Sequence, residues 1–139
     1  MSTPVVVAVV AVRLRGPLRR RDDSLMGSDL RELAARWADA LGDPVQVTVS
    51  GRSTLDVVLP GTDLNQARLV IARLRSGLPP HLSLRTGLAG VLPDESLDAA
   101  RERAAAAVVA ARSRGRWSVV VAAAEPPRHL RVAPAPEDG

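Results

Sequence analysis

The sequence contains no cysteine, lysine, phenylalanine or tyrosine, and its aromatic side chains are two tryptophans. Without cysteine there is no disulfide framework and no thiolate chemistry, a composition that fits a reducing cytosol. Without Phe and Tyr the core has to be built from Val, Leu and Ala, and the rings on which nucleic-acid binders stack bases are missing. The absence of lysine makes all 19 basic residues arginine. Arginine does not titrate in the physiological range, so a sequence pI near 11.3 overstates the basicity of a chain whose formal net charge is +4. The apolar run "VVVAVVAV" at 5–12 is far shorter than the roughly 20 residues that span a bilayer, and no positive charges precede it as in a signal peptide. A cytoplasmic protein with no membrane partner is expected, and nucleic acid is disfavoured as a partner.

At 139 residues the chain is the size of one domain. Residues 5–14 are apolar without alternation, which predicts a central strand covered on both faces. Arginines follow at 13, 15, 19, 20 and 21. "DLRELAARWADAL" (29–41) places Leu30, Leu33, Ala34, Trp37 and Leu41 on one helical stripe, with Asp29 and Glu32 spaced like a capping box and Gly42 as the stop. Trp37 is expected in the core. "PVQVTVS" (44–50), a tight turn at Gly51-Arg52 and "TLDVVLP" (54–60) predict a hairpin.

Thr62 or Asp63 should cap a helix to about residue 76, and "HLSLRTGLAGV" (81–91) alternates as a strand. "SLDAARERAAAAVVAARSRG" (96–115) reads as an alanine-rich helix, and "WSVVVAA" (117–123) as a last strand with Trp117 at the edge of the sheet. The predicted order is β-α-β-β-α-β-α-β, an α/β (α+β) domain with a mixed sheet packed by helices, as in the ferredoxin-like palm. The domain is expected over 1–123, with a Pro-rich disordered tail at 124–139. His81 and His129 are isolated, with no second ligand at metal spacing, so no metal and no cofactor are assigned.

Three stretches carry a resemblance to a known family. "GRSTLDVVLPGTDLNQARLVIARLR" resembles a signature hairpin, its "LP-x-T-D" turn and the helix after it. "LRTGLAGVLPDESLDAARERAAAAVVAARSRGR" resembles a strand ending in "S-x-G-x-A" and a helix finishing "A-K-x-x-G-R". "VVAVRLRGP" resembles a first strand that normally reads D-h-D-x-F. Together, over about residues 5–121, they resemble the GGDEF domain of diguanylate cyclases, which condense two GTP molecules into cyclic di-GMP. The resemblance implies the nucleotide-cyclase palm and a place in bacterial signalling.

The departures from the family pattern fall on its chemistry. Aligned through Pro60, the G-G-D/E-E-F signature becomes Gly51-Arg52-Ser53-Thr54-Leu55, with neither acid, and the metal aspartate of the first strand and its neighbour become Arg13 and Arg15. In active members those carboxylates hold Mg²⁺. A guanidinium in their place reverses the field: a unit pair about 4 Å apart at an effective dielectric near 20 is worth roughly 4 kcal/mol. The guanine-contacting Asn of the family falls on Arg21, and the product-inhibition motif R-x-x-D is absent, with Gly42 and Val45 at its charged positions. Arg112 and Arg116 match the family's phosphate-contacting basic pair, although cations at a helix C-terminus are favourable without any ligand.

The candidate nucleotide- or phosphate-binding residues are therefore Arg13, Arg15, Gly51, Arg52, Ser53, Thr54, Arg112 and Arg116, and none is assigned a catalytic role. Ser53 and Thr54 also serve simply as turn residues, Asp56 is expected to pair with an arginine, and Asp22 and Asp23 to solvate a loop. Catalysis would require Asp22, Asp29 or Asp56 to converge on a relocated metal. The expected function is that of a non-enzymatic, degenerate GGDEF-like regulatory domain that binds a guanine nucleotide (GTP or cyclic di-GMP) or a protein partner through its remodelled cleft. The alternative is a pure protein–protein interaction module or homodimer with no ligand.

Overall fold

The computed structural model of the protein describes residues 4–14, 23–78, 82–111 and 119–122. Its elements follow the expected order: β1 (Val5–Leu14), α1 (Asp23–Leu41), β2 (Gln46–Val49), β3 (Thr54–Pro60), α2 (Leu64–Ser76), β4 (Leu82–Gly90), α3 (Leu97–Ala111) and β5 (Val119–Val121). The strands form one sheet in the order β2-β3-β1-β4-β5. All pairings are antiparallel except β4–β5, which is parallel and so needs the crossover that α3 supplies.

The unbroken apolar run places β1 at the centre of the sheet. Val6, Ala8, Val10 and Val12 face a cluster built with Leu30, Leu33 and Trp37 of α1, Leu55, Val57 and Leu59 of β3, Ile71 and Leu74 of α2, and Leu82, Leu84 and Leu88 of β4. Val7, Val9 and Ala11 point to the opposite face and pack with Ala89 against Ala100, Ala104 and Val108 of α3. Successive side chains of a strand alternate between faces, so only a strand covered on both sides can be apolar throughout.

The α3 face depends on close approach. A Cβ on Gly87 of β4 would lie 2.0 Å from the carbonyl oxygen of Ala104 and 2.9 Å from the amide nitrogen of Val108, so any side chain there would push helix and strand apart. Arg103, 6% exposed, locks the same junction. Its Nε donates to Glu95 Oε2 at 2.8 Å, and one terminal nitrogen donates to Glu95 Oε1 at 2.7 Å and to the Gly90 carbonyl at 2.6 Å. The Leu92 amide donates to Glu95 Oε1 at 3.0 Å. The Arg103 hydrogen bond holds the Glu95 carboxyl below its ordinary range against the opposing effect of burial, with the Leu92 amide assisting, and the same pairing raises Arg103.

Two expectations are corrected. The first helix starts at Asp23, so Asp29 and Glu32 lie inside it and do not cap it, and Asp23 opens a helix where a loop was expected. Leu25 and Met26 are good helix formers and Gly27 costs a helix interior only about 1 kcal/mol, so nothing in 23–28 stops the helix from extending. The hairpin turn is also longer than the Gly51-Arg52 pair. The Ser50 amide donates to the Thr54 carbonyl at 3.0 Å, leaving Gly51, Arg52 and Ser53 as the loop, and the Val12 amide of β1 donates to the Ser53 carbonyl at 2.8 Å. The third loop residue is thus drawn onto the central strand. The second helix is capped as expected: Asp63 accepts from the Gln66 amide at 2.8 Å and its own amide donates to Gln66 Oε1 at 2.9 Å. The expected tail at 124–139, Trp117, His81 and His129 lie outside the described residues.

Candidate functional site

Strand register assembles the site. Ala11 lies opposite Thr54 of β3 on one side and Arg85 of β4 on the other, and Arg13 lies opposite Ser83. Because directly opposed residues share a face, Thr54, Arg85, Ser83 and Arg13 occupy the α3 face of the sheet, at the end where β1 finishes. The Val12–Ser53 hydrogen bond brings the loop Gly51–Ser53 to the same corner. Arg13, Gly51 and Arg52 are exposed there, while Ser53 and Thr54 are half-buried. Thr54 Oγ1 accepts a hydrogen bond from Ser50 Oγ at 3.1 Å, and a Cβ on Gly51 would come within 2.6 Å of that same oxygen. Glycine therefore keeps the loop tight over Thr54.

The structure thus gathers Arg13, Gly51, Arg52, Ser53 and Thr54 in one corner. Arg15, Arg112 and Arg116 lie outside the described residues. Helix α3 runs back along β4, since Arg103 meets Gly90 while Ala104 and Val108 meet Gly87, so its described end at Ala111 is directed toward the strand end that carries Arg85 and Ser83. Arg85 was missed in the sequence. Its only signal was the alternation of Ser83, Arg85 and Gly87 along β4, and the meaning of that alternation depends on which strands flank β4.

Asp56, the acid nearest the hairpin loop, is 3% exposed and faces the same side. Arg101 Nε of α3 lies 2.6 Å from Asp56 Oδ2, a close ion pair whose N–H is not aligned for a hydrogen bond, and Arg101 also donates to Asp98 Oδ1 at 3.2 Å. Asp29 belongs to α1, which packs on the opposite face of the sheet from Asp56, so those two carboxylates do not converge. Asp22 lies outside the described residues. Among the described residues no group of three or more His, Cys, Asp or Glu side chains could hold a metal ion. The corner offers guanidinium groups and hydroxyls, which suit an anion.

No family model and no curated protein sequence matches the chain. Solved structures do. An EAL/GGDEF domain protein from M. capsulatus is 24% identical, with 87% of this chain and 86% of that chain covered at a TM-score of 0.70. The GGDEF domain of DgcB from Caulobacter crescentus, solved in complex with c-di-GMP, is 18% identical over 86% of this chain and 78% of that chain, with a TM-score of 0.65. The diguanylate cyclase SiaD from Pseudomonas aeruginosa, in complex with its activator SiaC, is 19% identical over 86% of this chain and 50% of its own, with a TM-score of 0.67. The architecture is that of a mixed-sheet α+β palm. Within that class, the chain has the fold of GGDEF domains. No helix among the described residues is long and apolar enough to cross a membrane.

Proposed function

We propose that the protein is a catalytically inactive GGDEF-like regulatory domain of the cytoplasm that binds a guanine nucleotide, GTP or cyclic di-GMP, at the corner formed by Arg13 and the Gly51–Ser53 loop. One observation carries this reading. The Val12–Ser53 hydrogen bond sets Arg13 beside a loop that contains no carboxylate, while the nearby Asp56 is engaged by Arg101. A site of this composition repels a divalent cation and attracts phosphate, and arginine supplies in a fixed fork the counter-charge that a metal ion would otherwise bring. Arg112 and Arg116, at the phosphate-contacting positions of the resembled motif, are proposed to complete the charge. The DgcB GGDEF domain in complex with c-di-GMP supports the choice of ligand class.

Isothermal titration with GTP and with cyclic di-GMP, each with and without Mg²⁺, tests the proposal. Binding should survive removal of Mg²⁺ and weaken about ten-fold or more in Arg13→Glu, since reversing a contacting charge costs both the pair and the desolvation of what remains. Absence of heat with either nucleotide removes the ligand. Formation of cyclic di-GMP from GTP and Mg²⁺, read by chromatography, removes the inactivity. The second reading is a protein partner at this corner, which the SiaD complex with its activator favours. Co-purification that Arg52→Glu abolishes, with no nucleotide bound, would select it.

A further inference from the structure

The geometry points to the outward side of α2 as a docking surface for an acidic segment of a partner protein, at a place separate from the Arg13 corner. Helix α2 buries Ala67, Ile71 and Leu74. At about 100° per residue, Leu69 then stands at the crest of the helix away from the core, with Arg68 about 100° to one side and Arg73 about 40° to the other. Leu69 is 68% exposed, more than the other exposed large apolar residues of the described chain, Val109, Leu97 and Val49. Beside it Arg68, Ala72 and Arg73 are exposed.

The charge on this surface has one sign. The ionisable side chains of α2 are Arg68, Arg73 and Arg75, with no acid among its residues. The guanidinium groups of Arg68 and Arg73 have no ion pair or hydrogen bond among the described residues. Helix α1, on the same side of the sheet, instead mixes Arg31 and Arg36 with Glu32 and Asp39 on its exposed positions, the pattern of a solvated face. Arginine is enriched at protein interfaces and the centre of such a patch is more apolar than its rim, which an exposed Leu flanked by arginines reproduces in small. The helix is also held rigid, by the Asp63–Gln66 capping box at its start and by the Gly77 amide donating to the Leu74 carbonyl at 3.2 Å at its end. Little conformational freedom of the platform would be lost on association.

Charge complementarity selects the occupant: a segment with carboxylates on either side of one apolar side chain that seats against Leu69. A membrane surface fits less well, because interfacial helices insert a broad apolar face containing Trp, Phe or several Leu, and α2 turns a single Leu outward. Nucleic acid fits less well because an apolar crest between the arginines would meet phosphate and α2 carries no aromatic ring to stack.

The test uses the full chain and a fluorescein-labelled helical peptide with one Leu between pairs of Glu, together with its Lys-for-Glu counterpart, phosphatidylserine vesicles and duplex DNA. Polarisation should report binding of the acidic peptide and not of the basic one, and amide shift changes should centre on 65–76. Affinity should fall about ten-fold or more in Arg68→Glu/Arg73→Glu and in Leu69→Asp. These positions are exposed, so thermal melts should fall by only a few degrees, from the changed charge in the last turn and the lower helix propensity; Arg68→Gln/Arg73→Gln provides a milder pair with a smaller loss. GTP should not compete and Arg13→Glu should bind the peptide normally, so failure at one site leaves the other standing. No peptide binding, shifts mapping elsewhere, or binding of vesicles or DNA in preference to the acidic peptide would each overturn the proposal.

Discussion

On one face of the sheet α1 and α2 press Leu30, Leu33, Trp37, Ile71 and Leu74 onto the strands, whereas on the other α3 contributes Ala100, Ala104 and Val108 against Gly87 and Ala89. The first face holds by volume, since each fully buried large aliphatic side chain contributes about 1.5–3 kcal/mol. The second holds by proximity, with backbone near backbone and one buried ion pair at the end of the helix. The difference bears on function. Among the described residues α3 alone covers that side, over β4 and β1; Gln46 and Thr48 of β2 are exposed and Thr54 is half-buried beside the Arg13 corner, while Asp56 of β3 is buried under Arg101. The face with the thinner apolar cover is the one that carries the proposed ligand corner.

Substitutions can break that contrast. The largest effect is expected from Gly87→Val, where new carbons would meet the backbone of α3, which cannot rotate away. A loss of about 4 kcal/mol or outright unfolding is expected in a urea titration, at the upper end of overpacking. A normal melt would show that helix and strand are not in that contact. On the opposite face, Leu55→Ala should cost about 3 kcal/mol by leaving a cavity, and should do so without altering nucleotide binding.

The smallest effect concerns the ion pair. Because Glu95 is held below its ordinary pKa in the folded state, its contribution is present above the unfolded-state value and disappears as pH falls through the folded one. Glu95→Gln should therefore lose about 2 kcal/mol at neutral pH by leaving Arg103 buried with a weaker partner, and much less in acid. Stability curves of the two proteins that stay parallel from neutral pH down through the carboxylate range would contradict this account.

Features set by neighbouring residues were legible in the sequence. The apolar run of β1, β3 between the Gly51 loop and Pro60, and the Asp63–Gln66 cap could each be read within a window of a dozen residues. The start of α1 was misread because Asp29 and Glu32 imitate a cap, and a local motif cannot report that the preceding residues are helical as well. Two of the three ion pairs of α3 among the described residues were harder still. Asp56 and Arg101 meet only because register turns Asp56 to the α3 face of the sheet, and Arg103 reaches Glu95 across the helix start. The corner itself was half legible: the exchange of acids for arginine and serine is written in residues 13 and 51–54, but Arg85 joins only through sheet register.

The central position of β1 also has a consequence during synthesis. This strand leaves the ribosome before its partners, Thr54–Pro60 and Leu82–Gly90, with Val6 waiting for Gly90 itself. Contacts so distant along the chain form slowly. For that interval a valine-rich segment with no charge between Val5 and Val12 stands unpaired on both edges, the stretch of the newborn chain most exposed to wrong pairing.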